Sequence, residues 1–245
     1  MVDPAIVDAV AALTPQPRRV RWTSLSYCLL DAVWSIAARY RAVVVPLVRR
    51  VAADNGDEAP VTASDGPLPA DPLPLPRLLA RYGDEQALRA ATNGQRTSTR
   101  GGITKAKAVL CHARILVDHQ IVDLADAERL LAGSTTGWDE LNGKLKQIHG
   151  EGEHGIRRGY LWTLCGSDDL IKPDRMILRW LARHGTEANA VSARLVLEAT
   201  AAELTRRLQR PVTPWMVDHA IWDAERSRKR PPPPTTSRDG HRGHV

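Results

Sequence analysis

Asp139–Leu181, DELNGKLKQIHGEGEHGIRRGYLWTLCGSDDLIKPDRMILRWL, contains the changes of rhythm that decide how this chain folds. Leu141, Leu145 and Ile148 recur at helical spacing, Gly150, Gly152 and Gly155 interrupt them, and Tyr160, Leu161 and Leu164 resume the pattern. Pro173 and Asp174 then open a third helix. Proline lacks the amide hydrogen that a first helical turn leaves unpaired, and an Asp oxygen accepts the amides exposed there. The stretch predicts two helices joined by a glycine hairpin, with a carboxylate delivered at the start of the next helix.

Outward from this unit the pattern stays helical. Toward the N-terminus, helices are expected over Pro4–Leu13, over residues 24–41 on a stripe of Leu25, Leu29, Val33, Ile36 and Tyr40, and over Val43–Val51 past Pro46. Residues 54–76, DNGDEAPVTASDGPLPADPLPLP, have little to bury and read as a loop or insertion whose acidity keeps it away from any polyanion. Arg77–Tyr82 and Asp84–Ala91 are short helices. Ile103, Ala106, Leu110, Ala113 and Val117 form one face of a longer helix, and Leu124–Leu131 is another. Beyond the central unit, Ala190–Leu208 and a last helix from Thr213–Pro214 to about Arg226 complete the order. No stretch alternates convincingly as a strand. The fold expected is all-α and two-lobed over residues 1–226, with the hairpin and Asp element at 139–181 and a disordered basic tail at 227–245.

The 245 residues carry a net charge of +6, which favours a polyanionic partner because cations near phosphates release condensed counterions. Part of that excess sits in the tail, where Arg226, Arg228, Lys229, Arg230, Arg238 and Arg242 face only Asp239. Arg96, Arg100, Lys105 and Lys107 cluster around a Gly-Gly helix entry, a place suited to a phosphate, although a solvated basic face has the same sequence signature. Cys28, Cys111 and Cys165 are too dispersed for a disulfide framework or a zinc site and fit a reducing compartment. The start, MVDPAIVDAV, lacks the features of a secretion signal, and no apolar run approaches a membrane span. A cytoplasmic protein is expected, nucleoid-associated if it binds DNA. There is no Walker loop, HExxH or GxSxG, and the hairpin glycines follow a helix rather than a strand, so no dinucleotide site is supported. Asp168 and Asp169 could pair at a metal but read more simply as a turn, and His219, at helical spacing from Trp215 and Trp222, reads as a packed or capping histidine.

The central unit resembles the helix-hairpin-helix plus Gly/Pro-rich loop and Asp element of the base-excision DNA glycosylase superfamily, which includes endonuclease III. The resemblance rests on Ile148-His149-Gly150-Glu151-Gly152 for the hairpin and Ile171-Lys172-Pro173-Asp174 for the Asp, within the helical order of residues 20–226. It implies that Asp174 assists departure of a flipped-out base, that the hairpin amides around Gly150, Gly152, His154 and Gly155 hold a phosphate of double-stranded DNA, and that Arg100, Lys105 and Lys107 support the backbone. Tyr27, Trp34, Tyr160 and Trp162 are the aromatic candidates for a base pocket, each also readable as core. The chain departs from the family at three points. His154 or Ile156 stands where bifunctional members carry a nucleophilic lysine, so a covalent Schiff base is not implied. Glu151 and Glu153 occupy a hairpin that should meet a phosphate. The cysteines do not form the closely spaced set of four that binds an iron-sulfur cluster, so no cofactor is implied. The expectation is a monofunctional N-glycosylase acting on a damaged, mismatched or modified base, with a non-catalytic DNA-binding protein or a helical protein-interaction module as alternatives.

Overall fold

The structure, a computed structural model, describes residues 2–133, 137–149, 156–171 and 173–228. It is mostly helical. In chain order the helices are α1 (Pro4–Ala12), α2 (Leu25–Trp34), α3 (Val45–Asp54), α4 (Leu75–Arg81), α5 (Glu85–Ala91), α6 (Lys105–Asp118), α7 (Leu124–Ala132), α8 (Trp138–Lys146), α9 (Ile156–Leu164), α10 (Arg175–Arg183), α11 (Ala190–Leu208) and α12 (Pro214–Arg228).

Two separate hydrophobic cores organise these helices. The larger gathers α2–α9 around Leu25, Leu29, Val33, Trp34, Val48, Leu110 and Trp162, and reaches along the chain to Cys165. The smaller begins at Ile171 and joins Ile177, Trp180, Leu197, Leu204, Val217 and Ile221 to Ile6, Val7 and Val10, so α1 folds with the last three helices. Arg207 pairs with Asp8 at 2.7 Å, and Arg210 donates to the Pro15 carbonyl at 2.9 Å, fastening the N-terminal segment there. His219 stacks between Trp215 and Trp222 on α12 while remaining exposed at the surface.

Helix α2 is the centre of the larger core, since every residue from Leu25 to Trp34 is buried. A helix enclosed on all sides must have its end amides and carbonyls met by protein, because water cannot reach them. At the N-terminus the Ser24 hydroxyl accepts from the Ser26 amide at 3.1 Å, and Asp71 Oδ2 accepts from the Leu25 amide at 2.9 Å. The same Oδ2 accepts from Leu124 N at 3.0 Å, and Oδ1 from Leu73 N at 2.9 Å, so one carboxylate caps α2 and α7 together. Burial raises the Asp71 pKa, and the hydrogen bonds it receives oppose that shift.

Residues 54–76, expected as a loop or insertion with little to bury, are irregular for most of their length but contribute more than that. The segment supplies Asp71 and the fully buried Leu73. It also forms a strand, β2 (Val61–Ala63), antiparallel to β1 (Val20–Trp22), with Arg21 opposite Thr62. Three residues per strand are too few for an alternating pattern to be read from sequence.

The helix expected over 24–41 also ends early. The Ser35 hydroxyl lies 2.7 Å from the Asp31 carbonyl, Ala37 turns to a φ of 51°, and the chain re-enters a helix through a π-helical turn at Tyr40–Val44 that runs directly into α3. Pro46, in the first turn of α3, has no amide to continue the preceding ladder, and the widened turn accommodates that gap.

Beside this break Asp31 is wholly buried without a salt-bridge partner among the described residues. Trp22 Nε1 and the Tyr40 hydroxyl donate to its Oδ2 at 2.8 and 2.7 Å, and the Ser35 hydroxyl lies 2.8 Å from Oδ1. Burial raises the Asp31 pKa, with hydrogen bonds from Trp22, Tyr40, Ser35 and Tyr160 opposing it. A folded-state pKa above the unfolded value means that the native state holds the extra proton between the two values. Asp31 therefore makes stability fall as pH rises from the unfolded carboxyl range, ~3.9, through the raised folded value. Asn fits the same site: its oxygen can accept from Trp22 and Tyr40, and its amide can donate to the Ser35 oxygen. In denaturant titrations, Asp31→Asn is expected to match or exceed wild type at neutral pH and to flatten this part of the pH dependence. Asp31→Ala should lose about 1–3 kcal/mol for each donor left unpaired.

Candidate functional site between the two cores

The chain passes from the larger core to the smaller between α9 and α10, and Asp174 lies at the end of this crossing. Helix α9 stops in a Schellman motif. Gly166 adopts a φ of 111°, its amide reaches the Thr163 carbonyl at 3.1 Å, and the Ser167 amide reaches the Trp162 carbonyl at 3.0 Å.

The crossing is then pinned on both sides. Asp168 pairs with Arg18 at 3.3 Å and accepts from the Thr213 hydroxyl at 3.2 Å, while its carbonyl accepts from Trp215 N at 2.9 Å. The Arg18 guanidinium also sits over the Trp215 ring, 4.5 Å from its centre. Asp168 is thus tied to the small lobe through Arg18 and α12, and no cluster of metal-binding side chains occurs among the described residues. On the other side, the Thr163 hydroxyl lies 2.8 Å from the Leu170 carbonyl, which fixes the loop to α9.

Asp174 caps α10 from an extended backbone. Its Oδ1 accepts from Met176 N at 2.6 Å and Ile177 N at 3.3 Å. Those two amides hold the side chain in one orientation. Oδ2 has no hydrogen-bond partner among the described residues, and the residue is half-buried. A carboxylate anchored through one oxygen, with the other uncommitted, can stabilise a nearby positive charge or orient a water without losing its place.

Gly150, Gly152, His154 and Gly155 lie outside the described residues, as do Glu151, Glu153 and Lys172. Tyr27, Trp34 and Trp162 are core residues, 0%, 0% and 1% exposed. Trp34 Nε1 donates to Asn93 Oδ1 at 2.9 Å, and Trp162 packs on Trp138 with ring centres 5.3 Å apart. None of these three offers an open ring face. Tyr160 faces the Asp31 cluster, where burial and the neighbouring Asp31 charge raise its pKa. A surface concavity lined by Glu85, Gln86, Arg89, Ala90 and Gly94 belongs to the larger lobe, and Asp174 is not among its walls.

Arg100 and Lys107 are exposed, whereas Lys105 is only 2% exposed, which corrects its reading as a surface contact. Its Nζ donates to the carbonyls of Trp34 at 3.0 Å and Ile36 at 2.7 Å, and to Gln95 Oε1 at 3.0 Å. The ammonium closes the C-terminal end of α2 rather than meeting a phosphate. Sequence reasoning missed Asp31 and Asp71 altogether. The signal available for Asp31 was a lone carboxylate inside an otherwise apolar run. The burial of Cys28 beside Cys165, thiol against thiol across α2 and α9, had no local signal.

A mostly helical chain with two cores and a half-buried carboxylate at the crossing between them is the class that these observations define. The chain belongs to a family described as a domain of unknown function (DUF8548), which matches residues 3–226. No curated protein matches it. No solved structure matches it either. No helix among the described residues is long and apolar enough to cross a membrane.

The two kinds of lysine separate by mutation. Lys105→Met strands two carbonyls and an amide oxygen, at about 1–3 kcal/mol each, and should markedly lower the denaturation midpoint. Lys107→Ala and Arg100→Ala should stay within about 0.5 kcal/mol of wild type, the usual range for exposed positions.

Proposed function

We propose that this protein is a monofunctional DNA N-glycosylase that hydrolyses the bond between deoxyribose and a damaged, mismatched or modified base. The observation that carries the reading is the divided Asp174 carboxylate, one oxygen held by the α10 cap and the other without a hydrogen-bond partner among the described residues, at the crossing between two helical cores. Its place directly after the helix–glycine–helix unit is where the resembled superfamily carries its Asp.

In such a reaction the target nucleotide leaves the duplex stack. As the N-glycosidic bond breaks, its electron pair departs with the base and positive charge develops on the sugar. Asp174 Oδ2 stabilises that charge and orients a water toward the anomeric carbon. The water oxygen bonds to the sugar and the base gains a proton, leaving an abasic site and a free base. The chain carries no lysine at the start of α9, which favours direct hydrolysis over a Schiff base and strand cleavage.

A second reading, a DNA-binding protein of the same build without chemistry, is favoured by the burial of Tyr27, Trp34 and Trp162, which leaves three of the four aromatic candidates unavailable to a flipped base.

Asp174→Asn distinguishes catalysis from capping, because Asn is as good a helix cap as Asp. The variant is expected to keep wild-type stability and DNA retention while losing at least about a hundredfold in abasic-site formation, the scale on which one stabilising group acts in a transition state. The assay is alkali cleavage after incubation with duplexes carrying a panel of damaged and modified bases. Cleavage by wild type that persists in Asp174→Asn would refute the role of Asp174. DNA retention without cleavage on any duplex would favour the non-catalytic reading.

A further inference from the structure

Two acid-free stretches of the chain, 32–53 and 86–117, together hold ten of the 34 cationic side chains, whereas in a third, 9–30, Arg18 and Arg21 are paired with Asp168 and Glu128. In sequence they are separated by the acidic segment at 54–76. In the structure they are brought side by side. Lys105 Nζ bonds Trp34 and Ile36 on one stretch and Gln95 on the other. Trp34 Nε1 reaches Asn93, and Arg50 donates to the carbonyls of Ala91 at 3.0 Å and Thr92 at 2.6 Å.

Each stretch presents a loop along this junction, and both loops are structured. One runs through Ala37, at a φ of 51°, into the π-helical turn at Tyr40. The other doubles back between Gln95 and Lys105, closed by Thr97 N to the Ile103 carbonyl and Lys105 N to the Gln95 carbonyl, both at 2.8 Å. A Cβ on Gly102 would stand 2.4 Å from Ser98 N, so only glycine permits so tight a return.

Arg39, Arg41, Arg96, Arg100 and Lys107 are all exposed on these stretches. None is paired with a carboxylate among the described residues. Glu85, one of the two acids that flank the second stretch, accepts from the Thr104 hydroxyl at 2.8 Å. Exposed cations without paired carboxylates repel one another, and a protein gains nothing from that repulsion without a polyanion to offset it.

We infer that the junction of the 35–41 and 95–104 loops is a phosphate-backbone contact surface for duplex DNA, with Arg39 and Arg41 on one side and Arg96 and Arg100 on the other. The inference rests on the reading of the chain as a duplex-DNA protein but not on its chemistry. Lys105 is the internal clamp that sets the spacing of the two loops, and the four arginines neutralise phosphates. Such contacts are independent of base sequence, and each adds close to one counterion to the salt dependence of binding.

The test is fluorescence anisotropy of a labelled short duplex titrated with the full chain at several salt concentrations. The variants are Arg39→Gln/Arg41→Gln and Arg96→Gln/Arg100→Gln, with Arg194→Gln/Arg206→Gln on α11 as a control for net charge. Each junction pair is expected to weaken binding about tenfold near 0.1 M salt and to reduce the slope of log K against log salt by about 1–2, while the control stays within about twofold. Equal denaturation midpoints for all variants verify that the loops still fold. Junction variants that bind as tightly as wild type with an unchanged slope, or a control that loses as much as they do, would overturn this surface while leaving DNA binding in place. A wild-type protein that does not bind the duplex would overturn the surface together with the DNA reading. Absence of abasic products alongside the expected slopes would overturn only the chemistry.

Discussion

Full burial of α2 is the constraint on which the larger lobe depends. Ten apolar and small polar residues enclosed on every side supply a large hydrophobic driving force, yet the helix ends are polar and cannot be solvated. Distant parts of the chain satisfy them. Asp71, on the Pro-rich segment, takes the Leu25 amide, and Lys105, at the start of α6, takes the Trp34 and Ile36 carbonyls. Asp31, inside the last turns, is met by Trp22 and Tyr40. Four elements that look unrelated in sequence are therefore held together by the polar requirements of one apolar helix. The two loops flanking the end of α2 inherit their positions from the same bonds.

Most of the helical order was legible because it depends on local rules. Apolar spacing, the Pro-Asp and Thr-Pro helix starts and the glycine stops act within a few residues, and α5, α10, α11 and α12 fall close to where those rules put them. What stayed hidden depends on partners remote in sequence. Lys105 reads as a solvated cation in a basic run, and its burial becomes visible only once Val109, His112 and Leu116 are recognised as a second buried face of α6, continuous with it at helical spacing. Residues 54–76 read as unstructured because their contribution is one carboxylate, one leucine and a three-residue strand. The early end of α2 follows from a lysine 71 residues away that takes its last carbonyls, a competition that no propensity scale includes.

The candidate site divides in the same way. Asp174 was readable from Pro-Asp chemistry, and its cap is formed by the amides two and three residues on. The aromatic candidates were not distinguishable from core by type or spacing, and three of them are core. In the proposed role, Asp174 combines two demands on one side chain. A cap must be rigid, and a group that meets a developing charge must be preorganised, and the same two amides serve both. The crossing loop, pinned through Asp168 to Arg18 and α12 and through Thr163 to α9, keeps that carboxylate from drifting between the two cores.

The claim that Asp174 meets a positively charged sugar can be tested without knowing which base is excised. The measurement is the affinity of wild type and Asp174→Asn for two duplexes. One carries a neutral abasic analogue, and the other a pyrrolidine analogue whose protonated nitrogen places a positive charge in the sugar ring. Wild type should bind the cationic duplex at least about a hundredfold more tightly than the neutral one, as expected for a transition-state mimic, and Asp174→Asn should lose most of that preference. Equal affinity of wild type for the two duplexes, or a preference that survives in Asp174→Asn, would contradict the proposed role of this carboxylate.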